Sequence, residues 1–354
     1  MRETSVSEFT ALGRVEMSSK GLAEMQQDLL ADLYSDELPT ECYQKLAEWQ
    51  QQLTDPRDEI VQGAAAKIQA GITDFFADLN RRRSTSSSAE WNAFVKLCRL
   101  HPLRELLHQD PFTYRCFAKP RGYAGDATML DYIYGVDEEQ GPPEDTTDLG
   151  RHIFAATTGS TICEAVRARR RLVAEMIDRL ALEIPRPKLL SIAAGHLREA
   201  DLTGALKQRR LGRWVAFDVD TDSLQEVQKC YANHGVEAVA GSVRQLFGKR
   251  LGLGEFDFIY STGLYDYLQQ PIGKRLTERM YEMLRPGGQL LIANLLPTVG
   301  ERGYMETYMD WHLTYRTHPQ MLDLATSVDQ TRIRDIRLLT EENQNIVFLS
   351  VTKK

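Results

Sequence analysis

Leu189-Leu190-Ser191-Ile192-Ala193-Ala194-Gly195-His196-Leu197-Arg198-Glu199 passes from apolar to small to charged residues within one short run. The apolar part reads as a buried strand, the small residues as a tight turn, and the charged end as the start of a helix. One helix-length further on, Trp214-Val215-Ala216-Phe217-Asp218 reads as a second buried strand tipped by a carboxylate. Strand, small-residue turn, helix and acid-tipped strand together open a nucleotide-binding α/β unit. A dinucleotide fingerprint asks for three glycines in that turn, and here only Gly195 is present. A diphosphate would meet side chains, so a phosphate-free adenosine ligand fits better.

The alternation continues towards the C-terminus. Strands are expected over 189–194, 213–218, 236–240, 256–261, 289–294, 334–340 and 345–352, with helices over 197–208, 222–232 and 273–283. Glu341-Glu342-Asn343-Gln344 joins the last two strands as an antiparallel hairpin. The expected fold is therefore α/β, a Rossmann-like seven-stranded mixed sheet with a terminal antiparallel hairpin.

Towards the N-terminus the pattern turns helical. Residues 1–20 look weakly ordered, and Leu22, Met25, Leu29, Leu30, Leu33, Tyr43, Leu46, Trp49 and Leu53 keep helical spacing. Asp55-Pro56 reads as the start of a second helix running through Leu79, residues 81–88 as a Ser-rich linker, and 90–108 as a third helix. A further long helix is expected over 152–181. Between these lies Lys119-Pro120-Arg121-Gly122-Tyr123-Ala124-Gly125-Asp126, either a surface turn that docks the helices or a flap over a ligand. The expected division is a helical domain over 1–110, a Gly-rich lid and connector over 111–164, and the α/β domain over 165–354.

The net charge of −7, with no long basic cluster, speaks against a nucleic-acid partner. The run Arg167-Ala168-Arg169-Arg170-Arg171 reads as a solvated helix face. Cys42, Cys98, Cys116, Cys163 and Cys230 show neither metal-ligand nor disulfide spacing and read as reduced thiols of a cytoplasmic protein. No apolar run is long enough to span a membrane.

Residues 165–354 resemble the class I S-adenosylmethionine-dependent methyltransferases. The resemblance rests on Leu190 to Gly195, Asp218, Gly241-Ser242-Val243, Phe256-Asp257 through Ser261, and Leu284-Arg285-Pro286-Gly287-Gly288 with the final hairpin, in that order. It implies S-adenosylmethionine as cofactor, its methionine part at the turn of Ser191, Ala193 and Gly195, its ribose on Asp218 beside Val219. Adenine is implied at Ser242 and Val243, and the cofactor floor at Ser261 to Tyr265, including Gly263. Ala193 and Leu197 depart from the family's glycines, which brings in Arg198 or Glu199 at the amino-acid end and Tyr123 as a cover. Residues 119–126 and 308–317 resemble segments of bacterial extracellular factor (3-hydroxypalmitic acid methyl ester) biosynthesis methyltransferases, which implies a fatty-acid carboxylate as acceptor.

The stretch after the fifth strand leaves the carboxyl edge of the sheet, where an acceptor sits. There His312 reads as base or anion donor, or as a structural histidine. Arg316 reads as a carboxylate clamp or a surface ion pair, with Arg121 an alternative clamp; Tyr315 and Asp310 complete the catalytic candidates. In a helix, Tyr308, His312 and Tyr315 would share a face. The leading expectation is O-methylation of a small carboxylic acid. N-methylation of a small metabolite and a cofactor-binding partner subunit without turnover are the alternatives. No metal is expected, and an oligomer through the helical domain is left open.

Overall fold

The computed structural model describes residues 40–54, 64–135, 141–248 and 251–354. The expectations for residues 1–39 and for Asp55-Pro56 lie outside them. The seven strands are β1 Lys188–Ile192, β2 Arg213–Asp218, β3 Val236–Ala240, β4 Phe256–Ser261, β5 Leu284–Leu295, β6 Ile333–Thr340 and β7 Ile346–Lys353. They form one sheet in the order β3-β2-β1-β4-β5-β7-β6. β3 to β5 pair in parallel, and β7 runs antiparallel to both β5 and β6. The mixed sheet with its terminal hairpin is thus present. The chain order reverses beside β1, which puts the open crevice at the carboxyl ends of β1 and β4.

Side chains alternate across the pleat and build two cores. Leu189, Trp214, Phe258, Tyr260, Leu291 and Phe348 face one way, into the same apolar cluster as the N-terminal helices. Leu190, Ile192, Val215, Ile259, Leu290 and Leu349 face the other, in a cluster with Leu246, Leu276, Met280, Met321 and Leu324.

The N-terminal part is helical: α1 Thr40–Thr54, α2 Ala64–Thr85, α3 Ser88–Leu100, α4 Leu103–Leu107, α5 Pro111–Ala118, α6 Ala127–Tyr134, α7 Asp148–Thr158 and α8 Thr161–Glu183. Several expectations change. The Ser-rich linker is helix to Thr85, because Ser87 caps α3 directly through Glu90 in a capping box. The long helix breaks at Gly159-Ser160 into α7 and α8. The Gly-rich region is largely helical, with α5 capped by Asp110 and α6 by Asp126. After β1 the helix expected over 197–208 is a 3₁₀ turn, Arg198–Leu202, and a short α9, Gly204–Lys207. The rest are α10 Thr221–Tyr231, α11 Val243–Phe247, α12 Gln270–Glu282, α13 Arg302–Thr307 and α14 His318–Leu324.

Candidate active site

The turn after β1 carries the first part of the site. Ala193, Gly195 and Leu197 all have positive φ, at 55°, 53° and 56°. The backbone therefore takes the alternating left-handed path that three glycines favour, with two L side chains on it. Asp218 at the end of β2 is pinned against this turn: its Oδ2 accepts from the Gly195 N–H at 2.8 Å and its Oδ1 from the Asp220 N–H at 2.9 Å. Burial pushes its carboxyl up, and those two donors partly offset the effect. A carboxylate has about four lone-pair positions, so each oxygen can still accept one hydroxyl.

A cavity of about 50 Å³ opens on the turn, lined by Ser191, Ala193 to Glu199, Thr262, Gly263 and Arg169. Arg169, on α8, is only 5% exposed. Its Nη1 donates to the Thr262 carbonyl, and its Nε has no partner among the described residues. His196 also lines this cavity; its Nδ1 pairs with Asp131 at 2.7 Å, and its buried Nε2 is likewise unpartnered. A buried cationic fork beside a strand tipped by a carboxylate suits an amino acid attached to a nucleoside. The donor set thus fits S-adenosylmethionine.

A second, mostly apolar cavity of about 60 Å³ adjoins the first and shares Leu130, Arg169 and Gly263 with it. Phe112, Met129, Ile162, Tyr304, Met305 and Trp311 are among its wall residues. Tyr267 and Trp311 close it with a Trp311 Nε1–H to Tyr267 Oη bond of 2.9 Å. Gly125 lies against that pair: a Cβ there would stand 2.4 Å from the Tyr267 hydroxyl.

The Gly-rich segment both docks and covers. Lys119 reaches Asp310, Arg121 bonds Asp220 and Ser223 at 2.8 Å each, and Arg115 grips Asp126 in a bidentate pair at 2.9 Å. Asp126 is spent as the cap of α6, so it faces no ligand. Arg121, bound in this way, is no carboxylate clamp. Tyr123 lies between Tyr267 and Asp218; burial, with Asp218 and Asp220, raises its phenol.

Of the cofactor residues expected from sequence, Ser191, Ala193, Gly195, Arg198 and Gly263 line the turn cavity. Arg198 is nevertheless occupied, held by both oxygens of Asp131 at 2.9 and 2.8 Å and by Glu226 at 3.2 Å. Glu199 is half-buried and accepts from the Tyr260 hydroxyl at 2.6 Å. Neither is free to hold an amino-acid end; Arg169 is. It was hidden in the basic run because Arg167 and Arg170 also turn inward, to the carbonyls of Ile133 and Arg198. Ser261 is buried with its hydroxyl on the Ile192 carbonyl at 3.0 Å, tying β4 to β1. Val219 is 68% exposed. Ser242 caps α11 through Gln245, with Val243 at its first turn.

The four catalytic expectations need correction, for none of these residues lines either cavity. The helix stops at Thr307 and the chain runs irregularly to Arg316, so Tyr308, His312 and Tyr315 share no helix face. Asp310 turns with φ 46° to meet Arg99 at 2.5 Å and Lys119; burial raises its carboxyl, but these cations hold it below the usual range. His312 is exposed, 3.2 Å from Asp310. Tyr315 lies under Arg302, 4.5 Å away. Arg316, 1% exposed, donates to Gln270, Asn294 and the carbonyls of Tyr265 and Leu268. It straps the loop after β4 onto β5. Asp266 and Glu301, which line the apolar cavity, stand in no motif of the sequence.

Residues 195–288 match the family profile of a methyltransferase domain. No curated protein matches the sequence. A crystal structure of a possible exported protein from Bordetella parapertussis is similar over 85% of this chain and 99% of its own. Its TM-score is 0.54 at 16% identity, so it shares the fold, helical part included. Two further solved structures are similar at TM-scores below one half. One is an O-methyltransferase-like protein of Nostoc punctiforme, at TM-score 0.43, 13% identity and 71% of each chain. The other is the N-methyltransferase NodS of Bradyrhizobium japonicum with S-adenosyl-L-homocysteine, at TM-score 0.40, 12% identity, 63% of this chain and 99% of its own. All five cysteines are free. Among the described residues no helix is long and apolar enough to cross a membrane.

Proposed function

We propose that this protein transfers the methyl group of S-adenosylmethionine to a small, largely apolar acceptor. The observation that carries the reading is the pair of cavities with a common wall at Leu130, Arg169 and Gly263. One holds polar groups suited to a nucleoside-linked amino acid, the other excludes water. When bound, S-adenosylmethionine supplies a methyl group already activated on a sulfonium sulfur.

The chain's own residues then have positioning work. Asp218 accepts the ribose hydroxyls while its bonds to Gly195 and Asp220 fix its rotamer. Arg169 holds the carboxylate of the amino-acid end from the shared wall. Tyr123, carried by the clasp of Lys119 and Arg121, covers the ribose side. Tyr267, Trp311 and Gly125 keep water from the reacting atoms. Alignment and exclusion of water are worth roughly 7–11 kcal/mol in such a displacement.

A carboxylic acid acceptor, such as a hydroxy fatty acid, is the reading that the resemblance of residues 119–126 and 308–317 favours. Against it, the acceptor cavity offers one guanidinium and two carboxylates. The partner-subunit reading was motivated by the missing glycines, and the positive φ at Ala193 and Leu197 removes that motive. Calorimetry with S-adenosylmethionine and S-adenosylhomocysteine tests the proposal. One-to-one binding of both is expected; tighter binding of a nicotinamide dinucleotide, or binding of neither, overturns it.

A further inference from the structure

The acceptor cavity is apolar except for a few groups, and their charges do not balance. Arg169 lies in the wall shared with the turn cavity, on the Thr262 carbonyl. Asp266 and Glu301 face the same apolar volume. Glu301 is 6% exposed. Its Oε1 accepts from the Thr161 hydroxyl at 2.9 Å and from the Ile162 N–H at 3.2 Å, in the first turn of α8. Its Oε2 is buried without a hydrogen-bond partner among the described residues. Asp266 spends one oxygen on the Leu295 N–H at 2.8 Å.

A buried carboxylate oxygen without a donor costs free energy that a bound donor recovers. The missing complement is therefore a hydrogen-bond donor, and two carboxylates against one guanidinium favour a cationic one. An acceptor carboxylate would bring a third negative charge into the same low-dielectric space. The cavity is also small. Its 60 Å³ is less than half of the ~150 Å³ that takes benzene, so the closed form admits a head group and a few carbons.

We propose that the acceptor presents a basic nitrogen on an apolar stem to Glu301 and Asp266. This rests on the methyltransferase reading above. Glu301 anchors the nitrogen through its N–H groups. In the transfer, the bound ammonium first gives a proton to the Asp266 carboxylate and on to solvent, and the lone pair so freed forms the new N–C bond while the C–S bond breaks, its electron pair staying on sulfur. The methylated nitrogen carries the positive charge that the sulfonium loses and leaves as an ammonium.

The test uses the full chain saturated with S-adenosylhomocysteine, and n-butylamine, n-butanol and butyrate as probes in ligand-observed NMR and calorimetry. Butylamine is expected to bind at least tenfold tighter than the other two. Glu301→Gln is expected to weaken butylamine at least tenfold while leaving S-adenosylhomocysteine affinity within twofold. Butyrate or butanol binding as well as butylamine, no binding by any probe, or an unaltered Glu301→Gln variant each overturns the amine assignment. Should Glu301→Gln not fold, the ranking of probes on the parent protein still decides. Failure of S-adenosylhomocysteine itself to bind overturns the underlying methyltransferase reading instead.

Discussion

Asp218 is a structural latch and, in the proposed function, the acceptor of the ribose hydroxyls as well. Because its oxygens are fixed by two backbone donors, replacing it removes ribose contacts and loosens the turn together. Hydrogen bonds to a charged group are worth about 1.5–3 kcal/mol each. Asp218→Ala is therefore expected to weaken S-adenosylhomocysteine binding by roughly tenfold to a hundredfold in calorimetry; unchanged affinity would remove Asp218 from the ribose site. Asp266 makes a second prediction. Burial pushes its carboxyl up to about 6, with the Leu295 N–H, Arg169 and Arg316 pulling the other way. A folded-state value above the ordinary Asp value means that the native protein holds this proton more tightly than the unfolded chain. Its contribution to stability is then largest in acid and falls as pH rises from about 4 to about 6. Asp266→Asn lacks that slope. The stability of the parent minus that of Asp266→Asn, from urea unfolding, should drop by about 2–3 kcal/mol between pH 4 and pH 7. A difference that stays flat or grows would contradict it. Sequence made Asp218 visible because it ends an apolar strand at a fixed distance from Gly195. Asp266 and Glu301 carry no such signature; they come to one cavity only because Leu295 of β5 holds the first and Thr161 of α8 holds the second.

At the scale of elements, the turn after β1 and the segment after β5 behave oppositely. The turn was legible as a turn, but Ala193 and Leu197 concealed its left-handed backbone, since nothing in an alanine announces φ 55°. Gly195 has φ 53° and would place a Cβ 3.2 Å from the Ala127 Cβ of α6. Gly195→Ala is thus expected to cost ~1–2 kcal/mol in backbone strain, with added crowding of α6. Ala193→Gly should move stability by less than ~1 kcal/mol, because relieved strain and added unfolded-state freedom oppose each other. Thermal melts of the two variants that reversed this order would show the turn to be built otherwise. The segment after β5 has an aromatic spacing that would suit a helix, but the helix ends at Thr307. Ion pairs from other elements override that spacing: Arg99 and Lys119 draw Asp310 out of helical geometry, and Arg316 is pulled under the loop after β4. Arg316→Ala leaves several buried acceptors without their donor, each worth about 1–3 kcal/mol. It should lower the melting temperature sharply, with the folded fraction binding S-adenosylhomocysteine normally. A stable variant that had lost acceptor binding would restore Arg316 as a clamp.

For the molecule as a whole, the question is whether the helical part is a separate domain, as its composition suggested. The seven strands and the terminal hairpin followed from the alternation of strands and helices along the chain, which is local information. The union of the two halves is not local, and it rests on residues far apart in sequence. Glu306 on α13 accepts from Arg83 and Trp91 of the N-terminal helices, at 2.7 Å each, and from Arg302 at 2.8 Å. Burial raises its carboxyl, but Arg302 and Arg83 hold it below the usual carboxylate range. Gly303 lets α13 lie directly on α2, where a Cβ would stand 2.6 Å from the Leu79 carbonyl carbon. Phe75 and Phe76 pack on Tyr304 with ring centroids 6.2 and 4.8 Å apart. The N-terminal helices and one whole face of the sheet share a single apolar cluster, to which α8 and α10 add Val173, Ile177, Leu224 and Val227, so removing residues before 165 uncovers the part of that face that α8 and α10 do not reach. They also hold the wall of the acceptor cavity, since Phe76, Phe112 and Met129 meet Tyr304 and Met305 there. A chain cut to residues 165–354 would expose far more contiguous apolar surface than soluble monomers carry, typically a few hundred Å². It is expected to aggregate, or to remain without a cooperative melt in circular dichroism, although it keeps every strand. A monomeric 165–354 fragment that melts cooperatively and binds S-adenosylhomocysteine would show that the sheet needs no cover from the helices, and that they serve the acceptor side alone.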